Sequence, residues 1–351
     1  MKRAPIVLRW DLDKTYLVSQ FESLRYLIRV PFQKAKDKVA VPGVATLIKG
    51  VRRTIERKKH DVSVYFLSAS PPQIGNAIRE KLDLDGIEYE GITFKDQVRH
   101  LMYARFDAVL EQIGYKLERL LSSAAEMEEG AVELLFGDDW ESDPFVYSLY
   151  ADLLDAHVEQ GALVAWLRRA GVSRHYSERI AELAVGERRQ GRVQAIFILR
   201  QRPARGPELD EFGPRLVWFD NYFECALRLW ELGCLDVDGV FDVVADLGFN
   251  PAQTAASFDA MCDHGGVERA RLGPVRRQLV AAGVMQPVAP GSLASRASAA
   301  FRRPFASRLG KRSRPFLPNY TRLVDRWSYR GRKERSHEAE TADSRADDGR
   351  Q

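Results

Sequence analysis

Two acidic stretches of this chain each follow a short apolar run, and carboxylates so placed can bind a metal ion or transfer protons. Asp11 and Asp13 come directly after the apolar run 6–8, and Asp138 opens a second acidic stretch after the run 134–136. Neighbouring carboxylates repel one another unless a cation or a shared proton intervenes. Because open α/β sheets bind ligands outside the carboxyl ends of their strands, we expect both stretches at one edge of a sheet.

A hydroxyl group ends a third predicted strand. The apolar run 62–67 leads into Ser68, and the segment between it and the first acidic stretch is too short for a large cap domain, which predicts an open site. If the first strand continues to Asp13, its period of two points Asp11 and Asp13 to the same side. A strand end capped by turn-forming aspartates is the plainer interpretation of Asp-x-Asp alone. The three strand ends together favour a catalytic or metal-binding site.

The residues at these strand ends resemble the motifs of the haloacid dehalogenase (HAD) superfamily of phosphatases. The sequence 11–15 (DLDKT) resembles the first motif, Ser68 the second, and 137–143 (GDDWESD) the acidic fourth. The resemblance implies a Mg²⁺-dependent phosphomonoesterase that acts through an aspartyl-phosphate.

Two segments are similar to a particular branch of that superfamily. The sequences 137–147 and 219–226 resemble the capless phosphatidate-phosphatase-like group, which includes the lipins and the actin-patch-associated phosphatidate phosphatases. The resemblance covers roughly residues 5–235 and implies a phosphatidate-type lipid phosphate as substrate. The sequence departs from the group at Asp139, where a serine is usual. This departure weakens the inference about the substrate more than the inference about the reaction.

The resemblance also implies a role for each motif residue. Asp11 would be the nucleophile, and Asp13 would protonate the leaving alcohol and then activate water. Ser68 would bind the transferred phosphoryl group, together with main-chain donors of the turn through Ala69. Thr15 would orient the loop. Alternatively, its hydroxyl only stabilises the turn.

Mg²⁺ prefers oxygen ligands, and the motifs supply them. By resemblance, Asp11, the main-chain carbonyl of Asp13 and Asp138 would bind the ion, with Asp139 and Asp143 as candidates for direct or indirect ligands. Asp143 could instead cap the helix that follows it.

A lysine or arginine is also required, to neutralise the nucleophile and the phosphoryl group. Lys116, ahead of the fourth-motif strand, resembles the lysine of the family's third motif, and Lys95 is the second candidate. Either residue could instead be an ordinary surface lysine.

Apolar runs separated by helical patterns predict an α/β fold with a doubly wound, mainly parallel sheet. Composition divides the chain further, because the segment after 235 has helical patterns without a motif, and the sequence after 286 is rich in Pro, Ser, Gly and Arg. The predicted parts are a HAD-like phosphatase domain (1–235), a helical extension (236–286) and a basic, largely disordered tail (287–351).

The net charge of +4 is distributed unevenly. Residues 295–335 hold thirteen Lys or Arg and two acids, a net charge of +11, which leaves about −7 on the remainder. With its interleaved aromatic residues, this stretch could contact an anionic membrane or, as a weaker alternative, single-stranded nucleic acid; a solvated tail without a partner is a third interpretation. Because every motif residue lies before 144, removal of 295–351 is expected to leave hydrolysis intact.

Three functions compete on these features. The leading hypothesis is the Mg²⁺-dependent phosphomonoesterase with a phosphatidate-type substrate. The second is a HAD phosphatase for a soluble or nucleic-acid phosphate, and the third is a non-catalytic phospholipid-binding module. With no apolar run of about 18 residues, no room for a signal peptide before the first strand, and three cysteines without metal-ligand spacing, we expect a cytoplasmic protein with peripheral membrane contact as an option.

Overall fold

The structure is a computed structural model. Ala69 and Lys95 lie outside the residues that it describes. The described residues are 4–18, 38–68, 74–94, 105–140, 142–155, 157–185, 191–202, 206–264, 267, 269–287 and 316–325.

The described residues include six strands, and the apolar runs 6–8, 62–67 and 134–136 lie in three of them. The strands are β1 (Ile6–Asp11), β2 (Val62–Leu67), β3 (Gly91–Thr93), β4 (Ala131–Asp138), β5 (Gly191–Leu199) and β6 (Leu216–Phe219). Over the described ranges they form one six-stranded sheet in the order β3-β2-β1-β4-β5-β6, and every pairing is parallel. The predicted doubly wound, mainly parallel α/β fold is therefore confirmed.

Helices connect the strands and cover both faces of the sheet. They are α1 (Val44–Arg57), α2 (Gly75–Leu84), α3 (Arg105–Ala124), α4 (Asp143–Leu154), α5 (Gln160–Arg169), α6 (Arg174–Val185), α7 (Gly206–Leu209), α8 (Tyr222–Glu231), α9 (Val237–Leu247), α10 (Pro251–His264) and α11 (Gly273–Ala281). Among the described residues, no helix is both long and apolar enough to cross a membrane.

The sheet separates two apolar cores because successive strand residues point to opposite faces. Trp10 and Phe136, on the neighbouring strands β1 and β4, face the core that α1, α2 and α8 to α11 share. Their rings stack with centroids 3.8 Å apart. Leu135 and Ile198 face the second core, which α3 to α6 cover. Alternation along β1 therefore turns Asp11, the residue after Trp10, toward the α3–α4 side.

The chain reverses its direction across the sheet between β1 and β4. From β1 the strands β2 and β3 follow on one side, and from β4 the strands β5 and β6 follow on the other. In open α/β sheets a ligand crevice opens at such a switch point, outside the carboxyl ends of the two strands. Trp10 pairs with Phe136, so the acidic residues that end β1 and β4 meet at this crevice.

The helices of the predicted extension share a core with the domain before them. Leu235, Val240 and Val243 belong to the same buried cluster as the residues of α1 and the sheet. A Cβ atom added at Gly50 of α1 would lie 3.6 Å from the Cα atom of Gly239 in α9, so the two parts are in close contact. Helix α9 therefore packs against α1 as part of one continuous core.

Ten residues of the predicted tail also belong to the folded domain. Residues 316–325, which we call the C-terminal segment, end in a helical turn over 320–325 that rests on α4 and α5. Tyr320 is fully buried, and its hydroxyl donates a 2.5 Å hydrogen bond to Asp152 of α4. The expectation that removal of 295–351 leaves hydrolysis intact stays a prediction, but that removal would also take the buried Tyr320 out of the core.

Candidate active site

The first acidic stretch lies in a fixed turn directly after β1. The strand ends at Asp11, which is buried, and does not continue to Asp13, which is half-buried in the turn. Lys14 adopts a left-handed backbone conformation (φ 61°) that reverses the chain, an uncommon conformation for a residue other than glycine. From α8, Tyr222 donates a 2.6 Å hydrogen bond to the carbonyl oxygen of Thr15. The turn is therefore held from the far side of the sheet.

Lys116 lies between two carboxylates of the crevice. This residue of α3 is fully buried, and its Nζ atom lies 2.8 Å from Asp11 Oδ1 and 2.6 Å from Asp143 Oδ1. A buried ammonium group is tolerated only where carboxylates or hydrogen-bond acceptors replace its water. Of the two lysines proposed from the sequence, Lys116 is the one that the structure brings to Asp11, and Lys95 lies outside the described residues.

Asp138 and Asp143 complete a fully buried acidic cluster with Asp11. One carboxylate oxygen from each of the three lies within 4.8 Å of the others. Asp138 is fixed by the 2.6 Å hydrogen bond that the Trp140 N–H donates to its Oδ1 atom, and the Thr15 hydroxyl lies 3.5 Å from its Oδ2 atom. The first and fourth sequence motifs thus meet at the switch point of the sheet.

Gly137 allows Asp143 to approach β4 this closely. A Cβ atom at Gly137 would lie 2.5 Å from Asp143 Oδ2 and 2.8 Å from a ring carbon of Tyr147. Both residues belong to α4, so any side chain at 137 would push the start of that helix away from the cluster.

Replacing Gly137 with alanine is therefore expected to displace Asp143 and Lys116 together. We expect a loss of about 1–3 kcal/mol in the free energy of unfolding from overpacking, with a fall in activity of up to about 100-fold from misplacement. Urea unfolding and steady-state kinetics measure the two effects. Gly161→Ala is the matched control, because a Cβ atom at Gly161 would have no neighbour within 4 Å. Equal behaviour of the two variants would contradict the argument.

The charges of the cluster fit a bound divalent cation. The cluster has three buried carboxylates, two of which contact one ammonium group, so these four side chains carry two excess negative charges when ionised. Buried charge of one sign is costly unless an ion of the other sign balances it. Oxygen donors alone are the ligand set that suits Mg²⁺.

Two other groups in the described residues have the composition of a metal site, but in each of them only one of the three residues is buried, whereas all three are buried at the switch point. In the first, around Asp152 and Asp155, both carboxylates pair with Arg215. In the second, Asp220 pairs with Arg200 at 2.6 Å. The cluster at the switch point is therefore the best candidate for a metal centre.

Asp139 and Asp143, which the sequence left as alternative ligands, have different environments. The Asp139 carboxylate accepts hydrogen bonds from the backbone N–H groups of Gln201 and Arg202, after β5, and it is not part of the group formed by Asp11, Asp138 and Asp143. Asp143 does not cap α4, because Ser142 occupies the N-cap position without a side-chain capping bond. The Asp143 carboxylate instead contacts Lys116 and the N–H of Asp138.

Ser68 is fully buried at the end of β2 and faces the first motif. Its hydroxyl donates a 3.2 Å hydrogen bond to Asp13 Oδ2. Ala69, proposed as a source of main-chain donors, lies outside the described residues. The structure therefore brings together Asp11, Asp13, Thr15, Ser68, Lys116, Asp138 and Asp143 at one edge of the sheet.

Comparison of the chain with protein-family models, with curated proteins and with solved structures finds no match. The similarity to HAD phosphatases consequently rests on the motif residues themselves. The positions of those residues at the switch point are an observation independent of that resemblance.

Sequence reasoning missed several residues around the cluster. Tyr222 lies in the segment 219–226, whose resemblance to the phosphatidate-phosphatase-like group assigned it no role. Its hydroxyl nevertheless donates the hydrogen bond that fixes the first-motif turn. Lys14, Trp140 and Arg202, which we call the cationic rim, meet at the mouth of the site. Each lies within three residues after the end of a parallel strand, and this position was the signal that could have identified them.

Proposed function

We propose that this protein is a Mg²⁺-dependent phosphomonoesterase that uses Asp11 as its nucleophile. The observation that supports it best is the Lys116 ammonium group held between Asp11 and Asp143. An amine in this position offsets the negative charge of the carboxylate and of an approaching phosphoryl group, which otherwise repel each other. A non-catalytic lipid-binding module has no evident need for this buried arrangement.

Each remaining side chain has a task in the proposed reaction. Asp11 attacks phosphorus and forms an aspartyl-phosphate, while Asp13 protonates the departing alcohol. Half-burial of Asp13 lets it exchange protons with solvent. The Ser68 hydroxyl fixes the Asp13 carboxylate and lies where it can reach a phosphoryl oxygen. Asp13 then takes the proton of the water molecule that hydrolyses the aspartyl-phosphate.

Asp11, Asp138 and Asp143 are the side chains that would hold Mg²⁺. When bound, the ion supplies positive charge that orients and neutralises the phosphoryl oxygens. Asp143 also positions Lys116 through its Oδ1 atom, so it connects the metal centre with the third-motif amine. Thr15, beside Asp138 Oδ2, supports the same carboxylate.

Hydrolysis of a generic aryl phosphate is expected only with Mg²⁺ or a similar hard cation, because the acidic cluster requires a counter-ion. The measurement is phosphate release by the full chain with added Mg²⁺ and with excess chelator. Asp138→Asn should raise the Mg²⁺ concentration needed for half-maximal rate by about tenfold or more, since loss of even an outer-shell partner of a metal ligand typically costs about 10–100-fold in affinity. Asp155→Asn, in a different acidic group, is the matched control. Full activity in chelator would refute the proposal.

A further inference from the structure

Two cations and one exposed indole form the cationic rim beside the proposed active site. The Lys14 ammonium group lies 3.5 Å from the centroid of the Trp140 ring, and the guanidinium carbon of Arg202 lies 4.0 Å from it. The Trp140 side chain is 41% exposed, which is unusual for the largest apolar residue. Cation–π contacts of this kind hold the charged groups at a defined place.

Backbone hydrogen bonds connect the rim to the acidic cluster. The Trp140 N–H binds Asp138 Oδ1 at 2.6 Å, and the Arg202 N–H binds Asp139 Oδ2 at 3.2 Å. Gln201 donates a 2.6 Å side-chain hydrogen bond to the carbonyl oxygen of Lys14. The loops after β1, β4 and β5 are thus joined to one another, and the rim has a fixed position relative to the metal centre.

The rim adjoins the residue that would protonate the leaving group. Asp13, which protonates that group in the proposed reaction, directly precedes Lys14 in the chain. In the proposed reaction, the ammonium group of Lys116, which contacts Asp11 inside the crevice, neutralises the phosphoryl group. The rim cations are therefore positive charges additional to Lys116, and they lie beside Asp138 and Asp13 of the proposed site.

We propose that the cationic rim selects phosphomonoesters whose leaving group carries a second anionic group, such as another phosphate. This inference rests on the proposed phosphomonoesterase function and names its substrate class. Two cations at the mouth attract a second anion and orient it by charge-assisted hydrogen bonds. An uncharged diacylglycerol leaving group would instead strip water from both cations and give them no partner, so the rim favours a soluble bisphosphorylated substrate over phosphatidate.

The test compares two soluble substrates that differ by one phosphate, adenosine 5′-phosphate and adenosine 3′,5′-bisphosphate. We expect kcat/KM of the full chain to be about tenfold higher for the bisphosphate at low salt, since each exposed ion pair contributes up to about fivefold. The preference should shrink in high salt, which screens exposed charges. Phosphatidate in zwitterionic vesicles forms the third arm.

Single-residue variants assign the preference to the rim. Lys14→Met and Arg202→Met keep long side chains but remove the charge, so each should lower the bisphosphate preference by about threefold to fivefold, mainly through KM. Lys14→Arg should keep most of it. Arg192→Met is the matched control, because Arg192 is exposed near the amino end of β5, away from the crevice.

The possible outcomes separate this inference from the function on which it rests. Mg²⁺-dependent hydrolysis of both nucleotides at equal kcat/KM, or a preference that both methionine variants retain, overturns the role of the rim and leaves the phosphomonoesterase proposal standing. Faster turnover of phosphatidate that is unaffected by the variants also overturns it. The absence of Mg²⁺-dependent hydrolysis for every substrate rejects both proposals.

Discussion

Asp11→Asn is expected to abolish phosphate release while the protein stays folded. An amide has nearly the same shape as a carboxylate but cannot attack phosphorus. Removal of an essential nucleophile typically lowers kcat by on the order of 10⁴-fold or more. Initial rates with an aryl phosphate and saturating Mg²⁺ measure the loss. A variant that kept a tenth of the activity would show that Asp11 is not the nucleophile.

Stability and covalent trapping distinguish this loss from misfolding. Because the buried cluster carries excess negative charge, removing one carboxylate should leave the melting temperature in chelator unchanged or raise it. Acid quenching of the wild-type protein during turnover should trap a phosphoprotein, and the Asn variant should yield none. Asp83→Asn, which changes an exposed carboxylate of α2, is the control for both measurements. A trapped phosphoprotein in the Asp11 variant would contradict the assignment.

The strands and the placement of the motif acids could be predicted from the sequence because each depends on local pattern. Parallel strands buried on both faces appear as continuous apolar runs, and the runs 6–8, 62–67 and 134–136 identified β1, β2 and β4. The rule that ligands bind at the carboxyl ends of strands then placed Asp11 and Asp138 together. The end of β1 at Asp11, rather than at Asp13, was not predictable, because the turn depends on the left-handed conformation of Lys14.

Contacts between residues distant in sequence could not be predicted in the same way. Lys116 lies in the interior of a long helix, and only the packing of α3 against the sheet turns it toward Asp11. A second buried network joins Arg9 to Glu133, which also accepts a 2.6 Å hydrogen bond from Tyr150. Charged residues inside strands carry no signal of their partners. Asp139 looked like a metal ligand in the sequence because it directly follows Asp138. In the structure its carboxylate accepts hydrogen bonds from backbone N–H groups after β5.

The composition of the C-terminal segment gave no indication that it would fold. A sequence rich in Arg, Pro and Ser predicts disorder because it offers little apolar surface to bury. Tyr320, Leu323 and Val324 are nevertheless buried against the core. The aromatic residues that suggested a membrane or nucleic-acid contact thus include one, Tyr320, whose ring packs on Phe145 and Trp166.

A chain that ends at residue 315 is consequently expected to be much less stable than one that ends at residue 325. Loss of Tyr320 alone should cost about 3–5 kcal/mol of unfolding free energy, the range for truncation of a large buried side chain. Burial, together with the carboxylate of Asp152, raises the pKa of Tyr320 well above its ordinary value, so the hydroxyl stays protonated as the donor to Asp152. The loss of this hydrogen bond leaves a buried carboxylate with one donor fewer.

Thermal and urea unfolding of chains 1–315, 1–325 and 1–351 decide this prediction. We expect 1–325 to match the full chain and 1–315 to unfold at lower urea concentration, with Tyr320→Phe in the full chain falling between them through loss of the hydrogen bond to Asp152. Phosphatase activity should follow stability, because α4, on which the segment rests, begins at Asp143. Equal stability of all three chains would show that the segment contributes nothing to the fold. Any test of membrane or nucleic-acid binding by the basic residues must then keep residues 316–325, since their removal would alter the folded domain as well as the charge.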